Sequence, residues 1–241
     1  MDRPYVFCHM MASMNGKIMG RYMDTREGTE AGDVFDELIF GENRVWDMDG
    51  DILGRVTTDD NFTLYAKPEV DAAAPEVPAG DFHAPHDPAP YTYISIDPEG
   101  RLGWQGNTAD YHGKAHVLEV LTGRASNGYK AFLRSRNISY MIAGEEKLDL
   151  ALMLEKLKKD WHMKTVKLGG GGVLNWSFIQ AGLVDEVSIV MTAAADGNIK
   201  TQTLFDAKEG LTDDSPVEFT LKDVRKMGRN TVWLRYGCRK G

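Results

Sequence analysis

The chain has 241 residues, 42 % of them hydrophobic and 27 % charged, with 36 acidic against 28 basic side chains and a formal net charge of −8. That length can bury a substantial core, the composition is globular, and the acidic balance argues against nucleic-acid or anionic-membrane binding. No apolar run approaches the ~20 residues that span a bilayer, and the opening residues lack the pattern of a secretory signal, so a cytoplasmic protein is expected.

Residues 4–14 (PYVFCHMMASM) form a near-continuous apolar run rich in β-formers, the pattern of a central strand buried on both faces. Asn15-Gly16 ends it as a turn. Residues 17–30 are polar and glycine-bearing and read as loop. A helix is expected from Gly32-Asp33, with Val34, Phe35, Leu38 and Ile39 at helical spacing and Gly41-Glu42-Asn43 at its end. Ile52-Leu53 is a short apolar pair before Gly54. Residues 68–90 hold six of the nine prolines and no period, which reads as a long irregular loop. Beyond it, strands (91–96, 115–121, 138–143, 165–168, 184–192) alternate with helices (127–136, 148–159, 173–181). A closing antiparallel pair (218–225, 231–236) turns at Gly228-Arg229-Asn230. Such alternation implies right-handed crossovers and a mixed, mostly parallel sheet.

The chemistry concentrates at glycine turns. Residues 166–176 (VKLGGGGVLNW) read as a strand that ends in four glycines and opens into a helix. Residues without Cβ allow positive φ and let an anion approach main-chain N–H groups. Joined to the unpaired amides and partial positive charge of a helix start, they make a phosphate seat. The same run also suits a turn that only packs the helix closely on the sheet. Leu53-Gly54-Arg55-Val56-Thr57 is a second such turn, with a cation and a hydroxyl. Leu121-Thr122-Gly123-Arg124 is a third; Arg124 either pairs with a 2′-phosphate, favouring NADPH over NADH, or is a surface arginine. The G-x-G-x-x-G fingerprint, the P-loop Lys-Ser/Thr and the G-x-S-x-G nucleophile turn are absent.

Other residues read as structural. Cys8 and Cys238 suit buried thiols, a disulfide being the alternative, and neither has the company a zinc site needs. His83, His86 and Asp87 lie in the proline-rich loop, and no metal is expected there. His9 reads as a hydrogen-bonded core histidine and Trp176 as packing for the glycine-loop helix, while Trp104 is a candidate for lining a pocket.

Four segments then fall in order along nearly the whole chain: Arg3-Pro4-Tyr5-Val6 with Ser13-Met14-Asn15-Gly16; residues 54–63; residues 94–102; and Gly169 to Gly172 with Ala181-Gly182-Leu183-Val184-Asp185-Glu186. Together they resemble the riboflavin-pathway pyrimidine reductases, the dihydrofolate-reductase-like domains at the C-terminus of bifunctional deaminase-reductases. The resemblance implies a three-layer α/β/α fold with a mixed, mostly parallel central sheet and a C-terminal hairpin, as one reductase domain over residues 1–241. It implies a homodimer that uses NADPH to reduce the ribosyl group of 5-amino-6-(5-phosphoribosylamino)uracil to ribityl. By position, Gly54, Arg55, Val56, Thr57, Gly169, Gly170, Gly171, Gly172 and Val173 would hold cofactor phosphates, with Thr122 and Arg124 near the 2′-phosphate. Ser13, Asn15 and Asp59 would face the substrate. Asp60 and Glu186 would act catalytically, stabilising a cationic ring-opened imine during hydride transfer. The alternatives are a turn or helix cap for Asp59-Asp60 and a solvated strand start for Glu186. Asn15 stands where the family often has Asp, His9 where it often has Lys, and no proline follows Asp59-Asp60. Residues 68–90 read as an insertion over the active-site side or at a dimer contact. These departures keep open a different pterin, pyrimidine or small carbonyl substrate, or a non-catalytic nucleotide-binding protein. The companion deaminase's H-x-E and P-C-x-x-C signature is absent.

Overall fold

The computed structural model describes residues 1–86 and 88–239. Among them the chain forms, in order, β1 (Tyr5–Ala12), α1 (Arg26–Phe40), β2 (Gly50–Gly54), α2 (Arg55–Thr58), β3 (Thr92–Ile96), β4 (Thr108–Asp110), β5 (Lys114–Leu121), α3 (Asn127–Ser135), β6 (Ser139–Ile142), α4 (Leu150–Lys159), β7 (Thr165–Gly170), α5 (Gly172–Gln180), β8 (Glu186–Met191), β9 (Phe219–Met227) and β10 (Thr231–Cys238). The fold is mixed α/β, its strand pairs mostly parallel, with the expected antiparallel C-terminal hairpin. Contacts divide the chain into two compact units: a terminal unit of Tyr5–Met48 with the chain from Thr165 onward, and a central unit of Met1–Pro4 with Asp49–Lys164.

In the terminal unit the strand order is β7-β1-β8-β10-β9. β1 lies parallel to both β7 and β8, which is why its apolar run is continuous rather than alternating. Phe7 stacks on Trp46 at 4.3 Å. The two join Ala31, Leu38 and Ile39 of α1, with Val190 and Trp233, in one apolar core. α1 starts earlier than expected. Thr25 caps it, its hydroxyl accepting from Gly28 N at 3.0 Å. Gly28 is no helix breaker, because a Cβ there would collide with the Tyr22 carbonyl of the preceding 3-10 turn.

His9 is fully buried. Trp233 Nε1 donates to Ser188 Oγ at 2.8 Å, leaving the Ser188 hydrogen for His9 Nδ1, also at 2.8 Å. The His9 Nε2 hydrogen then goes to Phe35 O at 3.1 Å. Burial, then the Lys167 charge, lower its pKa from 6.5 to about 3, so the ring is neutral. Cys8 and Cys238 are both free thiols.

In the central unit the strand order is β4-β5-β3-β2, with β6 also on β5. β5 gives the first part of one edge to β4, through Ala109 and Ala115, and the rest to β6, from Leu118↔Ser139 to Leu121↔Ile142. β5, α3 and β6 form a parallel crossover, and Ser126 and Asp149 cap α3 and α4. The described residues among 68–90 form no helix or named strand, as expected, yet are firmly attached. Asn127 binds the backbone of Ala74, Pro75 and Val77 at 2.9–3.1 Å. Asp81 accepts from Lys156 Nζ at 2.8 Å and from Ile142 N at 2.8 Å. Phe82 exchanges two backbone hydrogen bonds with Tyr140 of β6, at 2.8 and 3.0 Å. The Arg134 guanidinium lies 4.3 Å over the Phe82 ring. The segment therefore runs against α3, β6 and α4 of its own unit.

Candidate functional site

In α/β folds, ligands gather at the carboxyl ends of parallel strands, where loops and helix starts present unpaired groups. The central unit has three such ends. β2 passes through Gly54, which has no capping side chain, into α2 and then into the π-helical turn Asp59–Thr63. This run collects Gly54, Arg55, Val56, Thr57, Asp59 and Asp60 in one place. Arg55 Nη1 pairs with Asp59 Oδ2 at 2.9 Å, and Thr63 Oγ1 donates to Asp59 Oδ1 at 2.5 Å. Asp59 is thus buried and occupied, whereas Asp60 is exposed and takes the Tyr65 hydroxyl. Beyond β5, Thr122 Oγ1 donates to Pro98 O at 2.7 Å. Arg124 Nη1 lies 2.8 Å from Glu99 Oε1, and Arg101 pairs with the same carboxylate. Two guanidiniums and one carboxylate thus meet after β3 and β5. Arg101 was within the segment 94–102 but carried no local pattern to mark it.

Beneath these loops lies a polar cluster absent from the sequence reading. Glu119 of β5 is fully buried and accepts from Trp104 Nε1. Burial, then the nearby Asp97 charge, push its pKa well above the carboxylate range. Trp104 is itself buried against Glu119, so it is a core residue of this unit and not an open pocket wall.

In the terminal unit the glycine turn is the main feature. β7 ends at Gly169-Gly170, Gly170 has φ 96°, and Gly171 is the N-cap of α5 with no capping side chain. The close-packing reading of these glycines has structural support. A Cβ at Gly171 would run into the Gln202 carboxamide, and one at Gly172 into the Thr203 carbonyl. Segment 202–206 is pinned there: Ile18 N donates to Gln202 O, Leu204 N to Gly16 O and Asp206 N to Gly172 O, each at 3.1 Å. The seat nevertheless fits a phosphoryl oxygen. Gln202 Oε1 already accepts from Gly172 N at 3.3 Å, which shows that an oxygen acceptor can occupy the start of α5. Ser13 and Asn15 follow β1 in the same unit. Ser13 Oγ donates to Asn15 Oδ1 at 2.8 Å and accepts from Lys17 N at 2.9 Å, while Asn15 Nδ2 donates to Asp196 O at 2.8 Å.

Glu186 is not brought to this group. It pairs with Phe7 near the start of β1, while Ala12, just before Ser13, pairs with Met191. Five strand steps separate them, about 16 Å. Its side chain is 2 % exposed and fully engaged, with Arg235 Nε at 2.6 Å, Tyr5 OH at 2.9 Å and Lys222 Nζ at 3.0 Å. Burial opposes ionisation, but the hydrogen bonds from Arg235, Lys222 and Tyr5 outweigh it and hold the carboxyl below its usual range. The role expected for Glu186 at the reacting carbon is corrected on this ground: it anchors β1, β8, β9 and β10 at the far end of their strands.

His83 stacks on Trp161 at 4.1 Å and His86 on His116 at 3.8 Å. Asp87 lies outside the described residues. Among the described residues no group of three His, Cys, Asp or Glu side chains could hold a metal ion, and no helix is long and apolar enough to cross a membrane.

Comparison with known proteins bears on the family and the fold. The model of the RibD C-terminal domain family matches residues 107–233. A 2,5-diamino-6-ribosylamino-4(3H)-pyrimidinone 5′-phosphate reductase from Methanothermobacter thermautotrophicus is 36 % identical over 103 residues, 42 % of this chain and 46 % of that protein, so the match spans about half of the relative's length. A pyrimidine reductase-like protein from Corynebacterium diphtheriae has a similar structure, with TM-score 0.66 and 12 % identity, covering 99 % of this chain and 93 % of the other. RibD from Acinetobacter baumannii gives TM-score 0.64 and 17 % identity, covering 98 % of this chain and 58 % of the other. At these identities the two structures establish the fold alone.

Proposed function

The chain belongs to the RibD C-terminal domain family, and on that premise we propose that it is an NADPH-dependent reductase converting the ribosyl group of a 6-ribosylaminopyrimidine 5′-phosphate to ribityl in riboflavin biosynthesis. The preferred substrate is 5-amino-6-(5-phosphoribosylamino)uracil. The observation that carries this reading is the pair of strand–glycine–helix junctions, at Gly54 and Gly171, neither capped by a side chain.

Bound NADPH supplies the hydride. Everything else is asked of the chain. In the central unit, Arg55 and the helix start behind Gly54 bind a phosphate, and Asp59 fixes the direction of that guanidinium. Arg101 and Arg124 are held side by side by Glu99 and suit a 2′-phosphate, which gives NADPH its advantage over NADH. In the terminal unit, the amides from Gly172 onward bind a second phosphate once its oxygen replaces Gln202 Oε1. Ser13 and Asn15 offer a hydroxyl and an amide to the substrate. Asp60, exposed and ionisable, is the carboxylate that stabilises positive charge as the ring-opened ribosylamine accepts hydride at C1′. We read residues 1–241 as one reductase domain, working in the cytoplasm as a homodimer.

The test is NADPH oxidation at 340 nm with 5-amino-6-(5-phosphoribosylamino)uracil, with the ribityl product identified by mass. A second reading comes from the Methanothermobacter relative, whose named substrate carries an amino group at C2 in place of oxygen. The same assay with that compound separates the two. Tight NADPH binding without oxidation by either would point to a non-catalytic nucleotide binder.

A further inference from the structure

In the central unit, the turns after the adjacent parallel strands β3 and β5 are tied to each other and carry charges of both signs. Asp97 to Gly100 form the first turn: Gly100 N donates to Asp97 O at 3.0 Å, and Gly100 has φ 71°. Asp97 Oδ2 accepts from Leu102 N at 2.9 Å. The second turn docks on the first, because Thr122 N and Thr122 Oγ1 both donate to Pro98 O, at 2.9 and 2.7 Å. The backbone under Glu99, Arg101 and Arg124 is therefore set, and their side chains meet as a consequence. Glu99 Oε1 pairs with Arg124 Nη1 at 2.8 Å, and Glu99 Oε2 pairs with Arg101. A second carboxylate, that of Glu145, lies against Gly123, where a Cβ would collide with its Oε2.

Two guanidiniums thus stand beside two carboxylates, and the group is formally neutral. A 2′-phosphate brings about −1.5 to −2 charges at pH 7. Arg101 and Arg124 can balance that charge, but the Glu99 carboxylate between them repels it. Thr122 has spent its hydroxyl hydrogen on Pro98 O and has none to offer a phosphate. A ribose 2′-hydroxyl makes the opposite demand. It is neutral, and its hydrogen needs an acceptor, which an ionised carboxylate supplies best. Acidic side chains fill this role where the bound dinucleotide lacks the 2′-phosphate. We propose that Glu99 is a selectivity residue: its carboxylate accepts from the ribose 2′-hydroxyl of NADH and opposes the 2′-phosphate of NADPH, narrowing the preference that Arg101 and Arg124 create. This rests on the reading of these turns as the adenosine-ribose end of a coenzyme seat. The fold does not depend on the charge. The Arg101 and Arg124 side chains are 60 % and 51 % exposed, and ion pairs so open to water contribute little to stability.

The experiment measures Kd for NADPH and for NADH by tryptophan quenching without substrate, on the whole chain as wild type, Glu99→Gln and Glu99→Ala. Both variants remove the same charge, so both should bind NADPH about threefold more tightly. Both should bind NADH more weakly, Glu99→Ala by about threefold and Glu99→Gln by less, since a carboxamide oxygen still accepts. The ratio of the two constants in Glu99→Ala should therefore shift by about tenfold towards NADPH. Adenosine 2′,5′-diphosphate, used as a competitor, should gain affinity in both variants as NADPH does. Weaker NADPH binding in both variants would show that Glu99 serves to hold the arginines in place, and would overturn the proposal. An unchanged ratio would overturn it as well, while the coenzyme seat stands. Unfolding midpoints should stay within about 2 °C of wild type; a fall of about 10 °C in both variants would make Glu99 a structural anchor and overturn its selectivity role. If neither coenzyme binds the wild type, the reductase reading fails and the role of Glu99 goes with it.

Discussion

Replacing Glu186 with Gln tests the correction made to that residue. Glu186→Gln keeps the shape and removes the charge that Arg235 and Lys222 share at 2.6 and 3.0 Å. Breaking a buried ion pair costs about 3–5 kcal/mol when the surviving charge stays buried. Here Arg235 is 23 % exposed and Lys222 44 %, so both cations regain water and the cost falls to about 2–3 kcal/mol. For a protein of this size each kcal/mol moves Tm by roughly 2–4 °C, which predicts a drop of about 5–10 °C by calorimetry at pH 7. The sign with pH follows from the folded pKa lying below the unfolded one. The stabilisation is present above the ordinary glutamate value of 4.5 and is lost as pH falls through the folded value, so the gap between wild type and variant should close in acid. Turnover below Tm should change less than threefold. A variant with unchanged Tm and a hundredfold loss of kcat would refute the structural assignment and return Glu186 to the reacting carbon.

Gly172→Ala should cost about 1–3 kcal/mol in denaturant unfolding, because the new methyl meets the Thr203 carbonyl, a backbone atom that cannot swing aside. Burial lowers the pKa of His9 to about 3 and, with His86 next, that of His116 to about 4. Both are neutral in the fold and charge on unfolding below pH 6.5, so stability should decline as pH drops from 6.5, by up to ~1.4 kcal/mol per unit for each, with a shallower decline in His9→Gln. Arg101→Ala and Arg124→Ala should each raise KM for NADPH about tenfold and leave KM for NADH unchanged, measured by steady-state kinetics. Asp81→Ala, which strips Lys156 and the Ile142 amide of their acceptor, should lower stability by about 1–3 kcal/mol and speed proteolytic cleavage within residues 68–90.

Much of the architecture could be read from periodicity. The β1 run, the two-turn pattern of Leu150, Leu154 and Leu157, and the closing hairpin all signal their elements through neighbours in sequence. The start of α1 did not, because Gly28 reads as a breaker until its contact with Tyr22 is seen. β4 spans three residues, too few for any period to show. At the candidate site, glycine turns and arginines were visible because their chemistry is local. Glu119 was hidden inside a β-strand pattern, and its surroundings, the Trp104 indole and the Asp97 carboxylate, come from the connection after β3, remote from it in sequence. Glu186 failed for the mirror-image reason. A family motif gave it prominence, but only strand register shows which end of β8 it occupies.

The two-bond bridge between Phe82 and Tyr140 has a consequence for the life of the protein in a crowded cell. β6 borders β5 on one side only, and without the proline-rich strap its other rim would offer free amides and carbonyls to any passing chain. Prolines on both sides of Phe82, at Pro78 and Pro85, keep the strap from extending into a strand that could itself recruit another. At Tyr140, therefore, the rim of β6 is already closed to another strand.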